Sequence, residues 1–278
     1  MTKKNSFTTK KIDVEALFEA TCRRLLWEYT STPEEEADIK HSRHVRTLMP
    51  LAALVRDDGS EKTAILYSPE DVDKLLRTYK DADERRAGDS NFYWKKIKLT
   101  EKSIEGAIRG VIQIREPGQP CWDAWEVIAS AGPGGADIAR TIYGLGYALS
   151  PSGVIMPDRG TVSAPAKAAW ARVASKGDRY ALPLDDIDDP QTSDPQDDCK
   201  LYRGKSKNAD PKDNPALQNA YQAQGWEKGM LNYLTAAHES FIDDLRREDP
   251  KLSSTLEKYL TLSIHAYFKH HYPGGAGD

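Results

Sequence analysis

The chain has 278 residues, of which 39% are hydrophobic, and its 39 Lys and Arg against 43 Asp and Glu give a net charge of −4. This composition is sufficient for a core, so it excludes a globally disordered protein. The small net charge excludes a protein that binds polyanions through its whole surface. No apolar run reaches the roughly 18 residues of a membrane span, so we expect a cytoplasmic protein without membrane contact.

Metal ligation and disulfide bonding are not predicted. Cys22, Cys121 and Cys199 form no CxxC pair, and we expect them to be reduced thiols. The histidines lack the spacings of HExxH or of a carboxylate-bridged di-iron site. We therefore expect neither a metal nor a cofactor.

Most of the chain is predicted to be helical, because apolar residues recur at helical spacing behind capping residues. Residues 1–12 are polar and basic and predict a flexible tail. The best strand candidate is Lys62–Tyr67. Helices are predicted at about 13–26, 33–48, 69–86, behind Thr100 to about 116, 121–131, 135–149, 164–175, 215–223, 226–247 and 250–271.

The segment 183–214 is predicted to be a charged mobile linker or loop. Seven Asp, three Pro and no Lys or Arg lie between Arg179 and Lys200, and several Lys and Arg follow. Such a composition offers few apolar groups to offset the entropy of ordering. The predicted fold is thus mainly α, an irregular multi-helix globular fold with at most two or three short strands. It comprises a helical body (13–182), the linker, a C-terminal helical hairpin (215–272) packed on the body, and a frayed tail (273–278).

A glycine-rich turn at 132–135 precedes the predicted helix 135–149. Such turns at a helix N-terminus can bind phosphate through backbone N–H groups, which here involves Gly134 and Gly135 with Arg140 nearby. The turn lacks the Gly-Lys-Ser/Thr end of a P-loop, and the segment before it is predicted to be helix rather than strand. A plain turn between two helices is therefore favoured.

Two further polar groups are candidates for ligand contact. Asp158 and Arg159 lie in a loop rich in Pro and Gly, which indicates either a rigid connector or a ligand loop. His238 lies beside an apolar helical stripe and precedes Glu239, so it is either a hydrogen-bonded core residue or a general base. The core interpretation is favoured for His238.

The segment 92–98 interleaves aromatic and basic residues. This composition suits nucleic-acid binding, in which bases stack on aromatic rings and lysines neutralise phosphates. A strand whose aromatic residues enter the core explains the same pattern. The candidate nucleic-acid contacts are Tyr93, Trp94, Lys95, Lys96 and Lys98.

Three functions follow from the sequence. The first is a non-catalytic interaction or adaptor subunit that acts through a protein partner or a second copy of itself, because every catalytic signature lacks a required member. The second is an enzyme or a small-ligand or phosphate-binding protein with its site around the 132–160 loops. The third is nucleic-acid binding through the 92–98 segment. The ligand-site residues of the second are Gly134, Gly135, Arg140, Asp158, Arg159 and His238.

Overall fold

In the computed structural model, the described residues form a mixed sheet of seven strands with helices packed against it. The structure describes residues 51–87, 104–132, 136–175, 180–204 and 210–248, and beyond them 250, 253, 256–258 and 260–262. The strands are β1 (Ala52–Asp57), β2 (Glu61–Tyr67), β3 (Ile108–Arg115), β4 (Trp125–Ala131), β5 (Val154–Pro157), β6 (Tyr180–Pro183), β7 (Asp185–Asp186), β8 (Asp198–Cys199) and β9 (Asn219–Gln222).

The large sheet has the strand order β1-β2-β3-β4-β5-β9-β6, and β7 and β8 form a separate small pair. Strands β1 to β4 are an antiparallel meander. Strand β5 is parallel to β4, as expected for two strands joined by a crossover helix, and β9 is antiparallel to both β5 and β6. The four helices with described bounds are α1 (Pro69–Ala87), α2 (Ala136–Leu149), α3 (Ala164–Ser175) and α4 (Trp226–Glu248).

The prediction of a mainly α fold is wrong, because three predicted helices contain strands of the large sheet. The helix behind Thr100 is replaced by β3, the helix at 121–131 by a 3-10 turn and β4, and the helix at 215–223 by a 3-10 turn and β9. In β3 the apolar residues occupy both faces, with Val111 in one core cluster and Ile112 in the other. A central strand buried on both sides is apolar throughout, so its pattern resembles a helical stripe.

The predicted helices 69–86, 135–149, 164–175 and 226–247 agree with α1 to α4, and the predicted strand Lys62–Tyr67 agrees with β2. A hairpin turn precedes β2, where Gly59 adopts a φ of +82° and its N–H bonds Asp57 Oδ1 at 2.9 Å. Positive φ at this position favours glycine. Local capping and turn chemistry therefore identified these elements correctly.

Both faces of the sheet carry a core. Helices α2 and α3 cover one face, where Leu145 and Trp170 are fully buried. Helix α4 packs along the edge strand β1 and contributes Leu234 to this core and Leu245 to the core on the opposite face. Covering an edge strand in this way blocks pairing with another chain. Among the described helices, none combines the length and the apolar character that a membrane crossing requires.

Residues 183–204 are packed against the rest of the fold. Leu184, Cys199 and Tyr202 are buried. The side chain of Gln218 accepts a hydrogen bond from the Tyr202 N–H at 2.9 Å and donates one to the Tyr202 carbonyl at 2.8 Å. These contacts favour a packed segment over a linker. The predicted tails (1–12 and 273–278) and the predicted helices at 13–26 and 33–48 lie outside the described residues.

Candidate ligand-binding site

Strand β4 loses its neighbour β5 halfway along its length. The two strands pair only from Trp125–Ile155 to Val127–Pro157, although β4 continues to Ala131. The pairing with β3 skips Ile128, which marks a β-bulge immediately after Val127. The second half of β4 therefore has no strand partner on its β5 side within the described part of the chain, and the sheet is open there.

The opening leads to the start of helix α2. The chain passes from the end of β4 to Ala136 through Gly132-Pro-Gly-Gly135, of which Gly134 and Gly135 lie outside the described residues. A Cβ on Gly132 would lie only 2.8 Å from Ile142 Cδ1, so a larger residue here would displace the end of the Ile142 side chain on α2. The order strand, glycine-rich connection and helix is that of phosphate-binding turns.

A polar cleft lies where β3 and β5 end, beside the opening. Its volume is about 440 Å³. Asp158, Arg159 and Gly160 line this cleft and directly follow Pro157, the residue at which the pairing of β5 with β4 ends. The cleft is lined by Arg115, Glu116, Pro117, Gly118, Gln119, Cys121, Glu126, Asp158, Arg159, Gly160 and Lys200.

Arg159 is the most unusual lining residue, because its guanidinium group is buried with only 7% of the residue exposed. Its Nε and Nη2 both donate to the Pro157 carbonyl, at 2.9 and 2.7 Å. The remaining nitrogen, Nη1, is buried with no hydrogen-bond partner among the described residues. Burial lowers the pKa of Arg159 to about 10, so the group stays protonated at neutral pH.

Glu126 and Arg115 form an ion pair on one wall of the cleft. Arg115 Nη2 lies 2.6 Å from Glu126 Oε2, and this hydrogen bond is the main cause of the raised pKa of Arg115. The Glu126 side chain is only 11% exposed, whereas that of Arg115 is 45% exposed. Arg115 therefore holds the Glu126 carboxylate in place on this wall of the cleft.

Asp158 and Lys200 provide the free polar groups of the cleft. Asp158 Oδ1 accepts the backbone N–H groups of Gly160 and Thr161, whereas Oδ2 accepts no hydrogen bond from a described residue. Lys200 is exposed, and its ammonium group has no ion-pair partner in the described segments. Its backbone N–H donates to Gln119 Oε1 at 2.6 Å, which fixes the residue at the cleft.

A disulfide bond between Cys121 and Cys199 holds the wall behind the cleft, so the prediction of reduced thiols is wrong for this pair. The two residues are 78 positions apart in sequence, which hid the pairing. Cys121, Trp122 and Asp123 all have φ between 42° and 57°, a conformation that residues other than glycine rarely adopt. The backbone N–H of Trp122 donates a hydrogen bond to the Gln196 carbonyl at 2.6 Å, which connects this turn to the 183–204 segment.

The structure does not bring all the predicted site residues together. Asp158 and Arg159 line the cleft, whereas Arg140 lies over the Trp226 ring at 5.3 Å. His238 is buried among other residues, and its Nδ1 lies 2.8 Å from the Tyr67 hydroxyl. No contact among the described residues joins Arg140 or His238 to the cleft.

Several cleft residues are missing from the predicted site, namely Arg115, Glu126 and Lys200. The prediction of a helix at 121–131 concealed strand β4, and the prediction of a linker concealed the position of Lys200. Recognising β4 as a strand would have provided a signal, because it also places a strand directly before the glycine-rich turn. The predicted nucleic-acid contacts Tyr93, Trp94, Lys95, Lys96 and Lys98 lie outside the described residues.

Three carboxylates that the sequence did not single out, those of Asp185, Asp197 and Asp198, lie within 4.8 Å of one another. Asp185 Oδ2 accepts the N–H groups of Gln191 and Thr192, both at 2.6 Å. The hydrogen bond from Thr192 is the main cause of the lowered pKa of Asp185. The cluster thus shapes its own loop.

No protein-family model matches the chain, and neither a curated protein nor a solved structure matches it.

Proposed function

We propose that the chain binds a phosphate-bearing group carrier along the open half of β4 and transfers the carried group to a second molecule in the polar cleft. The observation that supports this function is the loss of β5 as a partner after Val127, directly before the glycine-rich connection to α2. The interpretation as an adaptor subunit stays a prediction, and nucleic-acid binding depends on residues outside the described ranges.

The N-terminus of helix α2 is a suitable position for the phosphate groups of this ligand. The first N–H groups of a helix have no partner within the helix, and the helix dipole favours negative charge there. Glycine in such a connection allows a phosphate to approach the backbone closely. Arg140, exposed on the first turns of α2, adds a positive charge next to this end.

The open edge of β4 supports an extended arm. Unpaired backbone N–H and C=O groups of a strand bind amide groups as another strand does. From Gly132 to Ile128 the open part of the strand covers about 13 Å at about 3.3 Å per residue. Coenzyme A has this chemistry, because an arm with two amide groups separates its phosphates from its thiol. Its reactive end would then lie where the pairing of β4 with β5 ends, next to Asp158, which lines the cleft.

Calorimetric titration of the full chain with coenzyme A, ADP and pantetheine tests this function. We expect coenzyme A to bind most tightly, because ADP lacks the arm and pantetheine lacks the diphosphate. Absence of binding by both coenzyme A and ADP would overturn the proposal.

The variant Ala139→Glu places a carboxylate on an exposed position in the first turns of α2. Acidic residues near a helix N-terminus do not destabilise the helix, but they repel a bound phosphate. We expect binding of coenzyme A and ADP to weaken by about fivefold, which corresponds to about 1 kcal/mol. Ala168→Glu, on an exposed position of α3, is the matched control and should leave binding unchanged. Equal effects of the two variants would contradict the proposed phosphate position.

A further inference from the structure

We propose that the polar cleft binds a small zwitterionic molecule of amino-acid type, with its carboxylate on Arg159 and Lys200 and its ammonium group on Asp158. The role of this molecule as the acceptor of the transferred group rests on the proposed function. Its binding does not, because every contact invoked belongs to the cleft alone.

Arg159 is the first reason for a carboxylate. A buried guanidinium group that lacks one acceptor pays the cost of desolvation without a compensating hydrogen bond. Arg159 lines the cleft and its buried Nη1 has no described partner, so a ligand oxygen that meets Nη1 through a small shift of the side chain would complete its hydrogen bonds. Carboxylates suit this role, because their two oxygens match the geometry of guanidinium N–H donors.

The carboxylates of the chain itself do not satisfy this cation. Glu126 is hydrogen-bonded to Arg115, and Asp158 Oδ1 is held by two backbone N–H groups of its own turn. Neither donates or accepts a described hydrogen bond with Arg159. Their charges oppose the lowering of the Arg159 pKa and so offset its positive charge in part, but neither supplies an acceptor for Nη1. The exposed ammonium of Lys200 adds a second positive charge to the cleft.

The negative groups of the cleft determine which anion it accepts. Glu116, Glu126 and Asp158 balance the charges of the three cationic lining residues, so a phosphate dianion is repelled where a zwitterion is not. Asp158 Oδ2 is free to accept a hydrogen bond from an ammonium group. The volume of about 440 Å³ lies towards the lower end of the usual range for small-molecule pockets.

NMR titration of the full chain without any phosphate compound tests the inference, with the Gly160 amide as reporter. The probes are glycine, propionate, ethylamine and inorganic phosphate. We expect glycine to bind about tenfold more tightly than propionate and ethylamine to bind too weakly to measure. Tighter binding of phosphate than of glycine, or equal binding of ethylamine, would overturn the inference.

Two variants assign the two ends of the ligand. Arg159→Met nearly keeps the side-chain volume and removes the charge, and we expect at least a tenfold loss of glycine binding in a variant that still folds, with only a small decrease in Tm from the two lost hydrogen bonds to Pro157. Asp158→Asn keeps the Oδ1 acceptor of the turn and should weaken glycine binding but not propionate binding. Arg172→Met, at an exposed position of α3, is the control and should change neither.

If Arg159→Met fails to fold, Lys200→Met at the exposed rim still decides the question, with an expected loss of about threefold for both glycine and propionate. Unchanged binding in Lys200→Met and in Asp158→Asn would refute the assignment. Binding of coenzyme A without binding of glycine would overturn this inference alone. The reverse result would overturn only the proposed function.

Discussion

Arg159 and His238 are equally buried basic side chains, with 7% and 4% exposure, yet they differ in their partners. His238 Nδ1 is hydrogen-bonded to the Tyr67 hydroxyl, and its Nε2 lies 3.9 Å from Glu257 Oε1. Arg159 lies at a cleft and leaves Nη1 without a described partner. The hydrogen-bond partners of a buried polar group, rather than its burial, therefore distinguish a binding site from a core.

Removal of the Cys121–Cys199 bond has the largest expected effect on stability. It should affect the cleft around Arg159 more than the core around His238. The bond closes a loop across 78 positions, and loss of such a crosslink costs about 4 kcal/mol of unfolding free energy in the chain-entropy model. The double variant Cys121→Ala, Cys199→Ala should therefore unfold at markedly lower urea concentration. We expect hydrogen exchange to rise first at the cleft and only later around His238.

Cys22→Ser leaves the described disulfide intact and is the matched control. A similar loss of stability in Cys22→Ser, or equal exchange at the cleft and around His238 in the double variant, would show that the bond does not specifically hold the cleft.

Residue patterns predicted the elements with local signals and missed those that depend on distant partners. Ser68 before Pro69 identified α1, and the turn residues Asp57–Gly59 before the apolar run of 62–67 identified β2, because capping and turn chemistry act within a few residues. Strand β3 was mistaken for a helix, since burial on both faces removes the alternation that marks a strand. The wrong prediction of a mainly α fold resulted from errors of this kind.

The candidate site was predicted only in part for the same reason. Asp158 and Arg159 were identified from an unusual local loop. Lys200 and Glu126 are brought to that loop by the sheet and by the disulfide, both of which join residues far apart in sequence. The acidic segment was predicted to be a linker because composition does not register bonds such as those of Gln218 with Tyr202.

Truncation of His238 is the second test of the comparison. His238→Ala leaves the buried hydroxyl of Tyr67 without its described partner and creates a cavity between α4 and the sheet. We expect a loss of about 2 kcal/mol of unfolding free energy, measured in urea. Arg159→Met, in contrast, removes a buried charge together with its two hydrogen bonds to the Pro157 carbonyl, so we expect a smaller loss of unfolding free energy than in His238→Ala. Equal losses in the two variants would remove the distinction between core and site.

The pH dependence of stability has the smallest expected effect and probes the core region alone. Burial lowers the pKa of His238 below 6.5, and the nearby carboxylates of Glu239 and Glu257 oppose this shift only in part. The unfolded chain therefore binds a proton at a higher pH than the folded chain. The contribution of His238 to stability is therefore fully present above pH 6.5, and it is lost as the pH falls from there through the lower pKa of the folded state.

One such group contributes at most about 1.4 kcal/mol per pH unit. We expect His238→Gln to flatten the slope of unfolding free energy against pH between about 6.5 and 5. Urea titrations of both proteins across this range measure the difference. An unchanged slope in His238→Gln would mean that His238 is protonated as readily in the folded chain as in the unfolded one. The contrast with Arg159, which stays protonated across this pH range, would then no longer hold.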